Sequence, residues 1–379
     1  MQMVSRFLIS CVLALGAMPT WAEPPVHIGA VLAISGPASV YGLPADRALW
    51  TLLDGMAKDG LAGRQVKVTI YDSEGNSTKA VQLFRRLVDS DQVQIVFGPS
   101  TSGESMAVVP VANQLKVPNI TFGAAGSITD PVTPYVFATS PTDRLVVENI
   151  LDHARQRGLK RLAVLYSQDT FGQSGGNFVK DLAAQFGAEL VAVETFAAQD
   201  MSATAQLLRI KEKAPQALIV WAPNPGPTIA LRNAKELGIS LPTYLSYASA
   251  TLSFVEQSGA VAEGVFVPAV PIIAPELLPV SDPRRSVMVK FSEQYRLKWK
   301  SAPDLGAGHA LDAKLIVENA VKTISGEVTR ENLRQAIEKV QMCGANGCRK
   351  LAPNDHRGLD RDALVMLRVK DGKWVLGAP

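Results

Sequence analysis

The amino-acid sequence predicts an α/β fold built of two doubly wound, parallel-sheet lobes, and two observations carry this prediction. First, the same order of strands and helices is repeated at an offset of 124 residues, so that residues 93–100 correspond to 217–224 and residues 117–121 to 241–245. Second, the strands are near-continuous apolar runs such as Ile95-Val96-Phe97, each followed by a helical stretch, as is typical of parallel sheets covered on both faces. Two similar lobes normally leave a cleft between them.

The first lobe begins with a strand predicted over residues 26–34 and a helix over residues 45–59, followed by a second strand at residues 66–71. Apolar residues recur with helical spacing over residues 79–88, which predicts a helix with one buried face. The second lobe is predicted to start after residue 140, and its first strand is expected at residues 161–166.

The second lobe is predicted to close with a strand at residues 264–268, after which the chain changes character. A Pro-rich stretch at residues 268–283 resembles a linker, and residues 287–299 and 308–324 have helical periodicity without strands of their own. We expect these two helices to cover the first lobe. Residues 363–375 contain two apolar runs around an Asp-Gly pair, which predicts a β-hairpin that periodicity alone assigns to neither lobe.

The N-terminal residues predict export through a cleaved signal peptide at residues 1–22. Arg6 precedes an apolar run at residues 7–18, and the segment ends in the small-x-small sequence Thr20-Trp21-Ala22. The apolar run is shorter than the roughly 20 residues of a membrane-spanning helix, so we expect a soluble mature protein. A lipoprotein anchor at Cys11 is disfavoured, because the apolar run follows this cysteine instead of preceding it.

Charge and motifs exclude several classes of partner. The chain has 38 Lys and Arg against 35 Asp and Glu, and removal of the signal peptide takes one basic residue, which leaves 37 − 35 = +2. This charge gives no reason to expect nucleic acid or an anionic membrane as partner. No phosphate-binding loop and no dinucleotide-binding fingerprint is present, so we predict no cofactor.

The two cysteines of the predicted mature chain, Cys343 and Cys348, flank a turn-prone segment at residues 344–347. An exported protein meets an oxidising compartment, which predicts a disulfide between them; two free thiols are the alternative. The closed loop is short, so the bond should stabilise a surface turn by at most a few kcal/mol. A metal site is disfavoured, because no His or second Cys pair has ligand spacing.

Open α/β sheets bind ligands outside the carboxyl ends of their strands, and two of the corresponding loops are rich in hydroxyls, glycine and alanine. The candidate residues in these loops are Ser100, Ser102, Gly123, Ala124 and Ala125. Hydroxyls, backbone N–H groups and a helix N-terminus suit an anion without a buried cation, and a carboxylate is the expected ligand. Ordinary helix capping by residues 100–102 is the alternative interpretation.

Two aromatic side chains stand next to glycines in these loops, Tyr41 in the first lobe and Phe171 in the second. Together they could form two walls around an apolar or planar group. The alternative is that each ring only closes the end of its own lobe.

Residues 172–176 match the G-x-S-x-G pattern of serine hydrolases, and His309 and His356 follow as possible bases. A nucleophile elbow requires the strand to run directly into the turn, whereas residues 167–171 separate this pattern from the predicted strand. We therefore expect no enzyme.

Short motifs occur along the chain in a fixed order. They are Ser35-Gly36-Pro37 with Tyr41-Gly42, Gly98-Pro99-x-x-Ser102, Val117-Pro118 leading to Gly123-Ala124, Tyr166 to Gly172, Leu311-Asp312-Ala313, and Arg357-Gly358. With these motifs, essentially the whole predicted mature chain resembles the type I periplasmic substrate-binding proteins of ABC transporters, typified by the leucine/isoleucine/valine-binding protein.

The resemblance implies the periplasmic binding protein-like type I fold, in which three hinge crossovers join the lobes. It places the N-terminal lobe at residues 23–140 plus 270–356 and the C-terminal lobe at residues 141–269 plus 357–379. It also implies a periplasmic location, closure of the lobes on a small-molecule ligand and docking to an ABC permease in the inner membrane. We expect a monomer.

The resemblance implies that Ser102 and the backbone of residues 123–125 hold the ligand carboxylate, and that Tyr41 forms an aromatic wall over the ligand. Amino-acid receptors of this family place a tyrosine and an acid at two second-lobe positions where this chain has Phe171 and Ala248. An ammonium group buried without a counter-charge is strongly disfavoured. We therefore expect a carboxylate that lacks an α-amino group, such as an aromatic or short branched organic acid.

Trp221, Asn224 and Tyr247 are expected to line the distal end of the site, where Asn224 offers a hydrogen bond to a hydroxyl or carbonyl. Two alternatives stay open. A branched-chain amino acid could bind if its ammonium paired with Glu104 or Asp169, and a ligand sensor of the same fold could report to a signalling partner instead of a permease.

Overall fold

The computed structural model describes residues 24–378. The predicted signal peptide at residues 1–22 and Cys11 lie outside the described residues.

The first sheet has five parallel strands and carries three helices in its N-terminal part. The strands are β1 (Val26–Leu32), β2 (Val66–Asp72), β3 (Ile95–Phe97), β4 (Asn119–Thr121) and β5 (Val136–Ala138), and the helices are α1 (Ser39–Asp59), α2 (Ser77–Asp89) and α3 (Ser102–Leu115). The spatial order is β2-β1-β3-β4-β5. The apolar side chains of β1, β3 and β4 are buried, because helices cover both faces of the sheet.

The second sheet begins with a parallel group of the same kind. Its strands are β6 (Arg161–Ser167), β7 (Glu189–Phe196), β8 (Ala217–Trp221), β9 (Thr243–Leu245) and β10 (Phe266–Ala269), and its helices are α4 (Asp143–Gln156), α5 (Thr170–Leu182), α6 (Thr204–Glu212), α7 (Gly226–Glu236) and α8 (Leu252–Ser258). The spatial order β7-β6-β8-β9-β10 repeats that of the first sheet. Strands β4 and β9 lie 124 residues apart at both of their ends. The predicted two-lobed, doubly wound α/β fold is confirmed.

Helix α1 begins earlier than the sequence indicates, because Gly42 and Pro44 normally argue against a helix. The structure places both inside α1, so Tyr41 lies in the first helical turn instead of a loop. Gly42 is needed there, since a Cβ atom at this position would come 2.1 Å from the carbonyl oxygen of Ala33. A close approach of the helix to the end of β1 therefore explains the unexpected start.

The chain then returns to the first sheet with α9 (Pro283–Trp299), α10 (Leu305–Val321) and α11 (Arg330–Ile337). The indole Nε1 of Trp299 in α9 donates to Arg47 O at 3.0 Å and Thr51 Oγ1 at 2.9 Å, both in α1. Residues 268–283 are not a free linker, because Ile272 and Ile273 are buried in the core.

The cysteines form the predicted disulfide within a hairpin of β11 (Gln341–Gly344) and β12 (Gly347–Lys350). The expectation of a surface turn is wrong. Ala345 and Asn346 in the turn are fully buried, and their N–H groups donate to the two carboxylate oxygens of Asp312 in α10 at 2.6 and 3.1 Å. Arg349 pairs with the same carboxylate at 3.0 Å. A buried charge network therefore anchors the disulfide hairpin.

The predicted C-terminal hairpin is confirmed as β13 (Val365–Lys370) and β14 (Lys373–Leu376). Asp371 and Gly372 in its turn both have positive φ, as a tight two-residue hairpin turn requires. Strand β13 pairs antiparallel with β10, which assigns the hairpin to the second sheet.

In the part of the chain that the structure describes, none of the helices combines the length and apolarity needed to span a membrane. Within residues 24–378, no group of three or more His, Cys, Asp or Glu side chains is placed to hold a metal ion.

Candidate functional site

A cavity of about 330 Å³ lies between the carboxyl ends of the two sheets. Its walls include residues from the first turns of α1, α3, α5 and α10, so several helix N-termini converge on it. Eight of the nine predicted ligand-binding residues line the cavity, namely Tyr41, Ser100, Ser102, Gly123, Ala124, Phe171, Asn224 and Tyr247. The ninth, Ala125, is fully buried behind the wall.

The hydroxyl of Ser102 joins α3 to the loop after β4, residues 122–126, which is called the β4 loop below. Its Oγ accepts hydrogen bonds from the N–H groups of Ala124 and Ala125 at 3.2 and 3.1 Å. These two bonds occupy the oxygen as an acceptor, so the hydroxyl hydrogen remains available to donate to a ligand. Ala125 thus contributes by orienting Ser102.

The capping role belongs to Thr101, not to its serine neighbours. Thr101 forms a capping box with Glu104, in which each side chain bonds the backbone N–H of the other residue. Ser100 instead accepts a hydrogen bond from the N–H of Ala33 at 3.1 Å and so joins the ends of β3 and β1. Both serines keep a hydroxyl at the cavity wall.

Tyr41 supplies more than an aromatic wall, because its hydroxyl accepts a hydrogen bond from the N–H of Asn224 at 2.9 Å. Burial raises the pKa of this phenol, so it stays neutral. The opposite wall is an aromatic cluster in which Phe171 lies 5.7 Å from Trp221 and 6.2 Å from Tyr247 between ring centroids. Trp221 was expected to line the cavity, but it is fully buried and does not. It packs behind Phe171.

Asn224 places an unpaired acceptor at the site. Its Nδ2 donates to Thr251 Oγ1 at 3.4 Å, whereas its Oδ1 is buried and has no hydrogen-bond partner within the described residues. A buried acceptor without a partner costs free energy, which a ligand hydroxyl or N–H group could recover.

The acids proposed as ammonium partners are already engaged. Glu104 does not line the cavity; it accepts hydrogen bonds from Ser73 and Thr101, and burial raises its pKa. Among residues 24–378, Asp169 is the only acid on the cavity wall. Its Oδ1 accepts from the N–H of Gly172 and its Oδ2 from the hydroxyl of Ser167, both at 2.8 Å. Asp169 therefore serves as the N-cap of α5.

Ala248, which is expected from the sequence at the ammonium position of amino-acid receptors, lies on the cavity wall. No Lys or Arg is among the described residues that line the cavity. An anion there would be held by hydroxyls, backbone N–H groups and helix N-termini.

His309 is a cavity residue that the sequence suggested only as a hydrolase base. Its Nδ1 lies 3.0 Å from Thr139 Oγ1 and 3.2 Å from the amide nitrogen of Asn346, and its ring stacks on Phe122. The amide nitrogen can only donate, so Nδ1 accepts and Nε2 carries the proton. Burial lowers the pKa of His309 to about 3, so the ring is neutral at physiological pH.

The G-x-S-x-G segment is a packed part of α5. A Cβ atom at Gly175 would come 2.0 Å from Trp221, and one at Gly176 would come 2.5 Å from Tyr166, so close packing accounts for these glycines. Ser174 faces a more open depression beside the cavity, and its Oγ accepts from the N–H of Gly126 at 3.2 Å. His356 stacks on Phe137, and its Nδ1 bonds Val136 O.

Comparison with known proteins identifies the family to which this two-lobed, cleft-containing chain belongs. The sequence model of the periplasmic binding protein family matches residues 25–373. The chain belongs to this family. Its members are small-molecule-binding proteins of the periplasm that work with ABC transporter permeases.

The chain is similar to Leu/Ile/Val-binding protein homolog 7 of Brucella suis, with 23% identity over 96% of this chain and 93% of that protein. Among solved structures, an extracellular ligand-binding receptor from Rhodopseudomonas palustris HaA2 has a TM-score of 0.87 at 25% identity, covering 94% of this chain and 100% of the receptor.

Two more distant structures contain ligands. A branched-chain amino acid transporter substrate-binding protein from Streptococcus pneumoniae, solved with isoleucine, has a TM-score of 0.80 at 21% identity and covers 93% of this chain and 98% of its own. An ABC transporter solute-binding protein from Rhodopseudomonas palustris BisB5 was solved with 3,4-dihydroxybenzoic acid. It has a TM-score of 0.78 at 21% identity, and the match covers 92% of this chain and 95% of that protein. Both likenesses concern the fold alone.

Proposed function

We propose that this protein is the exported solute-binding component of an ABC importer, which captures a small carboxylate without an α-amino group between two closing lobes. The ligand class is an organic acid, preferably aromatic. One observation carries this proposal: the cavity wall offers hydrogen-bond donors for a carboxylate, whereas Ala248 stands at the expected ammonium site and the carboxylate of Asp169 caps α5.

In this proposal the ligand carboxylate binds the hydroxyl of Ser102 and the backbone of the β4 loop. The ligand body lies between Tyr41 and Phe171, and a polar group at its distal end bonds Asn224 Oδ1. The ring of Phe171 is held by contacts with Trp221 and Tyr247, and a rigid aromatic wall of this kind favours a planar ligand.

The proposed lobes are residues 23–140 plus 270–356 and residues 141–269 plus 357–379, joined by three crossovers. The chain leaves the first sheet after β5 and enters the second sheet, which it leaves again after β10. Helices α9 and α10 then pack on α1 of the first lobe, and the chain passes back to the second sheet before β13, which supports these boundaries. We further propose that residues 1–22 are a cleaved signal peptide and that the mature protein is a monomer that docks to an inner-membrane permease.

A branched-chain amino acid is the second candidate, because Asp169 lies on the cavity wall. Its carboxylate could accept an ammonium if the ligand replaced the hydroxyl of Ser167 as partner. This candidate predicts that leucine, isoleucine or valine bind better than their 2-keto analogues.

A thermal-shift screen of the mature protein tests the ligand class. Each α-amino acid is compared with its keto or hydroxy analogue, and benzoate with 3,4-dihydroxybenzoate, since a ligand that binds only the native state raises Tm. We expect stabilisation by acids that lack the amino group. Stabilisation by the branched-chain amino acids alone would reject the proposed ligand class in favour of the second candidate.

The transport role has a separate test in cells that lack this protein. Uptake of the radiolabelled ligand from the screen should fall and return when the gene is restored. Unchanged uptake, together with a lost transcriptional response to the ligand, would indicate a sensor instead.

A further inference from the structure

Arg357 is a buried arginine between the third crossover and the β4 loop, and it does not line the cavity. Its guanidinium donates to uncharged oxygen atoms of two segments, residues 123–129 and residues 140–141. The acceptors are Thr129 Oγ1 at 2.7 Å, Ser140 Oγ at 2.8 Å, Ala125 O at 2.9 Å, Ser140 O at 3.0 Å, Pro141 O at 3.3 Å and Gly123 O at 3.5 Å. Burial lowers its pKa to about 10, so the group remains a cation at neutral pH.

One branch of this network leads to Ser102. Arg357 donates to Ser140 Oγ, and the Ser140 hydroxyl donates to Gly123 O at 2.6 Å. The same peptide group carries the N–H of Ala124, which donates to Ser102 Oγ. Hydrogen bonds in a chain polarise one another, so the guanidinium charge strengthens each donor along this branch.

The other branch leads across the cleft. Arg357 donates to Ala125 O, and the same peptide group carries the N–H of Gly126, which donates to Ser174 Oγ in α5. Asp143, the first residue of α4, is buried with no hydrogen-bond partner for either carboxylate oxygen among the described residues, and burial raises its pKa to about 7. This branch therefore connects the β4 loop to a helix of the second sheet.

We infer that Arg357 is a positioning residue that supplies the carboxylate site with positive potential from behind the cavity wall, through the peptide group 123–124, and that it holds the β4 loop against α5 through the peptide group 125–126. The inference rests on the proposed function for the identity of the anion. It explains how a cavity without Lys or Arg among its described lining residues favours an anion, and why the β4 loop keeps its N–H groups turned away from the guanidinium.

The network has a matched control in Arg349, a second buried arginine at the same crossovers. Arg349 donates to Ala138 O at 3.1 Å, Thr139 O at 2.9 Å and Arg357 O at 3.2 Å, and it pairs with Asp312. None of these bonds goes to the β4 loop, so the two arginines share burial and charge but differ in their partners.

The test uses the mature protein without ligand, so it stands even if the proposed ligand class is wrong. Amide exchange and ¹⁵N shifts of Ala124 and Gly126 are measured by NMR in R357Q, R349Q and wild type. R357Q should speed exchange at both amides by roughly tenfold or more and shift both nitrogens upfield, because both carbonyls lose a charged donor. R349Q should lower Tm while leaving both amides unchanged.

S140A separates the two branches, since it removes the hydroxyl that donates to Gly123 O and leaves the contact of Arg357 with Ala125 O. It should accelerate exchange at Ala124 and leave Gly126 unchanged. If R357Q does not fold, R357K is used, and S140A still tests the first branch. Equal effects of R357Q and R349Q, or wild-type exchange at Ala124 in S140A, would overturn the inference.

Discussion

The phenol oxygen of Tyr41 accepts a hydrogen bond from the backbone N–H of Asn224 at 2.9 Å, and this bond joins α1 of the first sheet to the loop after β8 of the second. Both residues also line the cavity. The same side chain therefore joins the two lobes and forms part of the cavity wall.

The variant Y41F tests this relationship. It keeps the aromatic wall and removes the acceptor for Asn224, so ligand affinity should fall by about 0.5–1.5 kcal/mol, the net contribution of one hydrogen bond. Isothermal titration with the ligand from the thermal-shift screen measures the change. The control is Y135F, because Tyr135 donates to Glu331 far from the cleft. Equal affinity in Y41F and wild type would show that the bond does not contribute to closure.

Ser102 is expected to be a direct partner of the ligand carboxylate. The variant S102A should weaken binding by roughly 1–3 kcal/mol, because it removes one donor to a charged group and leaves the N–H groups of Ala124 and Ala125 without their acceptor. Titration of both proteins with the same ligand measures the loss. S127A is the control, since Ser127 is an exposed hydroxyl beside the same loop. Unchanged affinity in S102A would remove Ser102 from the carboxylate site.

Ala248 decides the ligand class in the proposed function, and A248E tests it. A carboxylate on this wall should attract an ammonium and repel a second anion, so binding of organic acids should fall at least about tenfold while a branched-chain amino acid gains affinity. Thermal shifts of both proteins with organic acids and with branched-chain amino acids measure this change of ligand preference. The control A198E adds a carboxylate to the same cavity, on the loop after β7. It should weaken the binding of organic acids without increasing the affinity for a branched-chain amino acid. Amino-acid binding by neither variant would count against Ala248 as the ammonium position.

The sequence carried enough information to predict both lobes, because the repeat from β4 to β9 is strict and buried parallel strands have a distinctive apolar pattern. Local rules failed where a helix packs closely against a strand end. Gly42 and Pro44 disfavour a helix locally, but contact with Ala33 overrides this preference.

The residues behind the cavity were missed for a different reason. Arg357 contacts Ala125 across 232 positions of the chain, and Asp312 contacts Asn346 across 34, so no local pattern reveals these bonds. Trp221 was expected on the cavity wall because it ends β8, yet Phe171 lies in front of it. Which ring is outermost depends on the packing of α5 on the sheet, which a single strand sequence does not specify.

Asp304 gives a pH-dependent prediction. This buried carboxyl precedes α10, and burial raises its pKa from 3.8 to about 7, against the opposing effects of the N–H groups of Gly306 and Leu252. Between these pH values the folded state binds a proton that the unfolded state has released, so stability from this group is full below about pH 4 and is lost as pH rises through about 7. Wild type should therefore lose Tm as the pH rises from 5 to 8, whereas D304N should not, so the Tm of D304N relative to wild type should increase over this range.

Asp282 provides the opposite control, because its pKa is lowered by hydrogen bonds from Arg284, with which it pairs at 2.7 Å. Its contribution to stability is present above the unfolded pKa, so D282N should lose Tm at pH 8 and approach wild type as the solution is acidified. Melting curves of the three proteins at several pH values separate the two directions. A constant Tm difference between D304N and wild type from pH 5 to pH 8 would show that Asp304 does not titrate in this range.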